Sequence, residues 1–107
     1  MDLATATGTV RFVVSQKVLN QIRDAVLAGR YAMSEHAYDE MDEDNLDVLD
    51  VEAAILSGRI EQTLTRDPRG TRYVVVGTAC DELTPVAVVV RFGERDQLLV
   101  ITVYEIK

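Results

Sequence analysis

The sequence predicts an α+β domain in which N-terminal helices pack on a C-terminal antiparallel sheet of about four strands. Three observations carry this. Before Gly58 apolar residues recur at three- and four-residue spacing, the period of a helix. After Gly58 they recur at two-residue spacing, the period of a strand. The strand-like stretches are joined by short turn-like segments, which favour antiparallel pairing. The chain has 107 residues, the length of one domain, and residues 15–107 are assigned to it.

Residues 1–14 are read as an N-terminal tail or short strand. Met1 to Thr9 is small and polar. Thr9 to Val14 (TVRFVV) suits a short strand or the lead into a helix, which periodicity cannot separate. From Ser15, a suitable N-cap, the residues Val18, Leu19, Ile22, Val26 and Leu27 fall on one helical face, and Gly29 is a suitable stop. A second helix is expected from Ser34, through His36, Ala37, Tyr38 and Met41, to about Asp44-Asn45. A third starts near Asp47, where Asp47 and Asp50 complement the helix dipole. It buries Val51, Ala54 and Ile55, and ends at Gly58 in a left-handed conformation.

The sheet half begins with Ile60, Gln62 and Leu64 alternating with polar residues. Asp67-Pro68-Arg69-Gly70 reads as a turn. Strands follow over Thr71–Thr78, Pro85–Phe92 and Gln97–Tyr104. The last two contain VAVVV and LLVITV, nearly continuous apolar runs that suggest strands covered on both faces, or covered by helices on one face and a partner on the other.

Apolar residues make up 48% of the chain, enough for a core. The single cysteine, Cys80, rules out an intrachain disulfide framework and fits a reducing compartment. Met1 to Thr9 lacks the pattern of a signal peptide. The longest apolar run, Val86 to Val90, is far too short for a membrane helix. A cytoplasmic location without membrane contact is expected.

The net charge of −7 is unevenly placed. Residues 1–58 hold 11 acids and 4 bases, and residues 59–107 hold 7 of each. Asp39 to Glu52 carries eight acids and no base. Such a run repels phosphate backbones and attracts basic partners, although a solvated helix face is the commoner role. One histidine and one cysteine do not make a zinc site. The acidic run also fails as a calcium loop: counted from Asp42, Asp47 stands where glycine is needed. No cofactor motif is present, neither a phosphate-binding glycine loop nor a nucleophile elbow. What remains is metal-free acid/base chemistry. His36 has the one ordinary pKa near neutrality. The arginines of the second half (Arg59, Arg66, Arg69, Arg72, Arg91, Arg95) can grip phosphate. Tyr73 and Tyr104 can stack on bases. Each also has a structural explanation, as a cap, a solvated strand residue or a core residue.

The order of several short motifs resembles the bacterial family known as domain of unknown function 4258. They are Ile22-Arg23, Gly29-Arg30-Tyr31, Ser34-Glu35-His36-Ala37, Ala54-Ile55-Leu56-Ser57-Gly58-Arg59-Ile60, Asp67-Pro68-Arg69-Gly70, Arg72-Tyr73 and Ile101-Thr102-Val103-Tyr104. The resemblance covers about residues 20–105. It implies a distant likeness to RelE-type toxins, small ribonucleases with helices on an antiparallel sheet. It thereby implies RNA held on the sheet face, an antitoxin protein as partner, and His36, Arg72, Thr102 and Tyr104 as catalytic residues. Two positions depart from the family: Glu40 and Asp44 stand where it has arginines. Anions beside His36 are expected to repel RNA.

Two function classes follow. One is a metal-independent ribonuclease using those four residues. The other is a catalytically inactive protein-interaction module of a toxin–antitoxin-like system, binding through its acidic helical face or a sheet edge. A homodimer through the apolar strands is compatible with either.

Overall fold

The computed structural model describes the backbone of residues 3–107 and the side chains of residues 15–107. Helix α1 spans Leu3–Leu27. It runs through residues read from sequence as a tail or short strand, and Ser15 lies inside it rather than at its cap. No proline interrupts the segment, so the helical pattern after Ser15 extends backwards. The C-terminus is a Schellman motif. Gly29 has φ 72°, Arg30 N–H donates to Ala25 O over 2.8 Å and Gly29 N–H to Val26 O over 3.1 Å, which satisfies the last carbonyls.

Strand β1 (Tyr31–Met33) follows, an element absent from the sequence expectation because three residues carry no period. Ser34 caps α2 (Glu35–Glu43), accepting from Ala37 N–H. That helix closes on Asn45 at φ 60°, with Leu46 N–H donating to Met41 O over 2.8 Å. Asp47 and Asp50 form a reciprocal capping box at the start of α3 (Val48–Ser57). Gly58 then departs from expectation: its φ is −90°, which is not left-handed. Space is the reason for glycine. A Cβ on Gly58 would sit 2.5 Å from the carbonyl oxygens of both Ala54 and Val76. Gly77 is tighter still against Ala54 O, so α3 rests directly on the sheet there.

Strands β2 (Arg59–Leu64), β3 (Arg72–Thr78), β4 (Pro85–Phe92) and β5 (Leu98–Glu105) form an antiparallel meander. β1 adds to it in parallel beside β5, so the order is β1-β5-β4-β3-β2. The sheet is therefore mixed and five-stranded rather than antiparallel and four-stranded. The register shifts between Val89 and Val90, leaving Ile101 as an extra residue in β5. That bulge lets Leu98, Val100 and Val103 all reach the core despite their uneven spacing.

All three helices cover one face. Leu19, Ile22 and Ala25 of α1, Ala37 and Met41 of α2, and Val51, Ala54 and Ile55 of α3 pack with Val75, Val86, Val88, Val90 and the β5 residues. The opposite face holds a small cluster of Val74, Ala87 and Val89 with Val76. No helix packs on that cluster among the described residues. Of the two expectations for VAVVV, helices on one face is the one the described residues match, and the second face is open. No described helix is long and apolar enough to cross a membrane.

Candidate functional site

β1 pairs with β5 only as far as Val100. Beyond it, the outer edge of β5 has no strand partner, and α2 lies along it. Ser34 opens the contact: its N–H donates to Val100 O over 3.0 Å and its Oγ to Ile101 O over 2.9 Å. Glu40 Oε1 accepts from Val103 N–H at 3.2 Å, and Asp44 Oδ2 from Glu105 N–H at 2.8 Å. The match is geometric. Four helical residues rise about 6 Å, close to the roughly 6.6 Å of two strand residues. Carboxylates at i and i+4 therefore meet alternate edge amides. Glu40 and Asp44 thus replace a missing strand.

His36 is one step earlier in the same stripe, level with Ile101. Its Nε2 lies 3.2 Å from Glu40 Oε1, the oxygen that Val103 N–H also uses, and its side chain is 67% exposed. This is a contact between positions i and i+4 on the exposed side of α2. The charged neighbours along α2 are Glu35, Asp39, Asp42 and Glu43, all exposed.

Thr102 and Tyr104 occupy the open sheet face of β5, opposite Val89 and Ala87; Tyr104 is 40% exposed. Arg72 is on the same face but starts β3, opposite Arg91. Two strand spacings, roughly 10 Å, separate it from β5. Its Nε lies 3.4 Å from Asp67 Oδ2, yet is buried and makes no hydrogen bond. No hydrogen bond or ion pair joins any two of His36, Arg72, Thr102 and Tyr104 among the described residues. The fold thus brings three candidates to one face and sets His36 at its margin. His36 stays on α2 beside Glu40, and Arg72 lies with the arginines of the β2–β3 turn.

A cavity of about 370 Å³ at that turn is lined by Thr63, Leu64, Thr65, Arg66, Asp67 and Arg72. Another of about 370 Å³ is lined by Gln21, Asp24, Arg30, Phe92 and Asp96. Neither includes His36, Thr102 or Tyr104.

Three further acids of the run, Asp47, Asp50 and Glu52, serve structure. Asp50 is held below its usual pKa by the Asp47 and Cys80 backbone N–H groups, and its Oδ1 accepts from Cys80 N–H at 3.0 Å. Glu52 accepts from Tyr31 Oη over 2.8 Å; burial, then this bond and the Glu52 charge, push Tyr31 up to about 12. Among the described residues, no three His, Cys, Asp or Glu side chains form a metal-binding group. Sequence reasoning missed Ser34, Glu40 and Asp44 as partners of β5, and Arg91 as the neighbour of Arg72. The stripe Glu40–Asp44 was visible as an i, i+4 pair, but β5's edge was not.

No curated protein and no solved structure matches the chain. A family model matches residues 33–105. That span runs from the end of β1 to the end of β5 and takes in every residue of the α2–β5 contact. The chain belongs to the domain of unknown function family DUF4258.

Proposed function

We propose that this chain is a non-catalytic protein-interaction module of a toxin–antitoxin-like system, and that the outward side of α2 docks a basic partner protein. One observation carries the reading. Glu40, which accepts from Val103 N–H and lies 3.2 Å from His36 Nε2, stands beside the candidate base, while the candidate phosphate-binding Arg72 lies across the sheet with Asp67. Phosphoryl-transfer chemistry needs a cation where charge develops, and acids surround His36 instead. The outward side of α2 presents Glu35, Asp39, Asp42 and Glu43 around the half-exposed Tyr38. Charge there favours a Lys/Arg-rich partner, and Tyr38 supplies the aromatic anchor such interfaces use.

A ribonuclease of RelE-like ancestry is the second reading, favoured by one feature. A carboxylate lies beside a solvent-exposed histidine, an arrangement general bases use, and Thr102 is one residue beyond Ile101. In that reading RNA lies on the sheet face, with Tyr104 under a base. A cytoplasmic location and a homodimer through the open face suit both readings.

The two are separated by a cleavage assay on purified protein with RNA and chelator. The expected result is no cleavage by wild type. Cleavage that His36→Ala abolishes would overturn the module reading. Titration of isotope-labelled protein with a Lys/Arg-rich helical peptide tests the docking face directly. Saturable shifts centred on Glu35–Glu43 are expected, and a flat response there removes the proposed surface.

A further inference from the structure

The strands place most of their arginines at one end. Arg72 opens β3, Arg91 comes near the end of β4, and the β2–β3 turn carries Arg66 and Arg69. Arg72 and Arg91 are direct cross-strand partners. Like charges directly opposite one another oppose pairing, so this arrangement needs an anion between or above them. The chain provides one carboxylate. Asp67 accepts from Arg69 N–H at 2.9 Å and from Arg69 Nε at 3.2 Å, and Arg72 Nε stands 3.4 Å away. Arg66 and Arg91 make no ion pair among the described residues. The stem of Arg91 crosses the turn, with its Cδ 3.4 Å from where a Cβ on Gly70 would lie. Arg66, Asp67 and Arg72 line a cavity beside that turn with Thr63, Leu64 and Thr65.

Arg72 adds a second observation. Its Nε is buried without a hydrogen bond and holds Asp67 through a 3.4 Å ion pair alone, and the residue borders a cavity of about 370 Å³. Arginine offers a planar fork that matches an oxyanion with two or more oxygens.

The rest of the open face decides what carries the anion. The next row across the sheet, Gln62, Val74, Val89 and Thr102, holds no base, and the row beyond, Arg59, Val76, Ala87 and Tyr104, holds one at its β2 edge. A single-stranded nucleic acid needs a basic track along its backbone, and the chain's net charge is −7. One compact dianion needs only the local cluster. We infer that the β2–β3 turn, with Arg66, Arg72 and Arg91, is a binding site for a phosphate monoester on a small molecule, such as a nucleoside monophosphate. This inference does not rest on the docking role of α2, which lies beyond β5 on the other side of the sheet.

The test is a titration of isotope-labelled full-length protein with inorganic phosphate, with adenosine monophosphate and with a single-stranded RNA oligonucleotide, following backbone amides and arginine Nε–H signals. Saturable shifts at Thr63–Arg72 and Arg91 are expected with the monophosphate. Arg72→Gln and Arg91→Gln should each weaken binding at least tenfold. Arg91→Lys should retain part of it, and Arg59→Gln, at the opposite end of the strands, should leave it unchanged. Unshifted α2 amides in each variant show that the fold is kept. Equal binding of inorganic phosphate assigns the site to free phosphate, and tighter monophosphate binding assigns it to a phosphorylated carrier; both uphold the site. Three results overturn it: no saturation with either probe, wild-type affinity in both glutamine variants, or RNA binding more tightly with shifts spread across the whole face.

Discussion

Along the β5 edge and the Cys80 loop, carboxylates end on backbone amides. Glu40 and Asp44 take Val103 and Glu105, Asp50 takes Asp47 and Cys80, and Asp81 takes Leu83 and Thr84. At the β2–β3 turn the arginines face one another and share a single acid, Asp67. Both regions are rich in one sign of charge. The first uses that charge inside the fold, and the second leaves it available. The chain-level count hides this. It assigns the whole net charge to residues 1–58 and none to residues 59–107, whereas function depends on which charges already have partners.

The largest expected effect comes from removing the acids that close β5. In Glu40→Ala with Asp44→Ala, two edge amides lose charge-assisted bonds. A hydrogen bond to a charged group contributes about 1.5–3 kcal/mol, reduced here by partial exposure, so a combined loss of roughly 2–4 kcal/mol is expected in urea unfolding. The opened edge also becomes a template for another strand, so the variant should self-associate in light scattering. A double variant as stable and as monodisperse as wild type would show that these contacts contribute nothing.

Acid pH provides the next test. Asp50, Asp67 and Asp81 are all held below the ordinary aspartate value. The leading cause is backbone N–H donation for Asp50 and Asp67, and the Thr84 side chain for Asp81. For a carboxyl with a depressed folded pKa, the unfolded chain takes up the proton first. The stabilising contribution is full above the ordinary value and fades as pH falls below about 4. Urea midpoints should drop over that window. Asp50→Asn should flatten the drop more than Asp67→Asn, because Asp50 links α3 to the Cys80 loop and Asp67 is bonded within its own turn.

The arginine end should respond in the opposite direction. Arg91→Thr removes one of two like charges that stand directly opposite and keeps a β-branched residue in a strand. Cross-strand pairs are worth roughly 0.2–1 kcal/mol, so a stability gain within that range is expected. It should shrink as salt screens the repulsion. A loss of stability that is independent of salt would show that the Arg91 stem over Gly70 matters more than its charge.

How much of this was legible in sequence depended on whether a feature is local. The three helix ends were near at hand in chain order: Ser34, the Asp47–Asp50 pair and Gly29 each act within a few residues of themselves. The strands β2 to β5 were marked by a two-residue period and by Asp67-Pro68-Arg69-Gly70. Strand β1 was not, since its pairing is with residues nearly seventy positions away in register Tyr31↔Leu98. The meaning of Glu40 and Asp44 was lost for the same reason. Their amide partners lie 63 and 61 residues away, so in sequence they appeared as two anions beside a histidine. Gly58 was read correctly as a helix end but for the wrong cause, because its closest neighbour besides Ala54 is Val76 on another strand.

A further effect concerns the one acid of the run that pairs with a phenol. Tyr31 joins β1 to α3 through Glu52, and its pKa rises from 10.0 to about 12. The unfolded chain loses this proton first as pH rises. The contribution to stability is therefore complete below about pH 10 and is lost between 10 and 12. Tyr31→Phe should cost about 1 kcal/mol, the worth of one hydrogen bond, since the half-buried Glu52 regains water. Absorbance titration should show one of the 4 tyrosines ionising last in wild type and missing from the variant. If all of them titrate together near pH 10, Glu52 does not hold Tyr31. The short parallel strand would then depend on its backbone bonds to β5 and on the packing of Tyr31 and Met33 against the core.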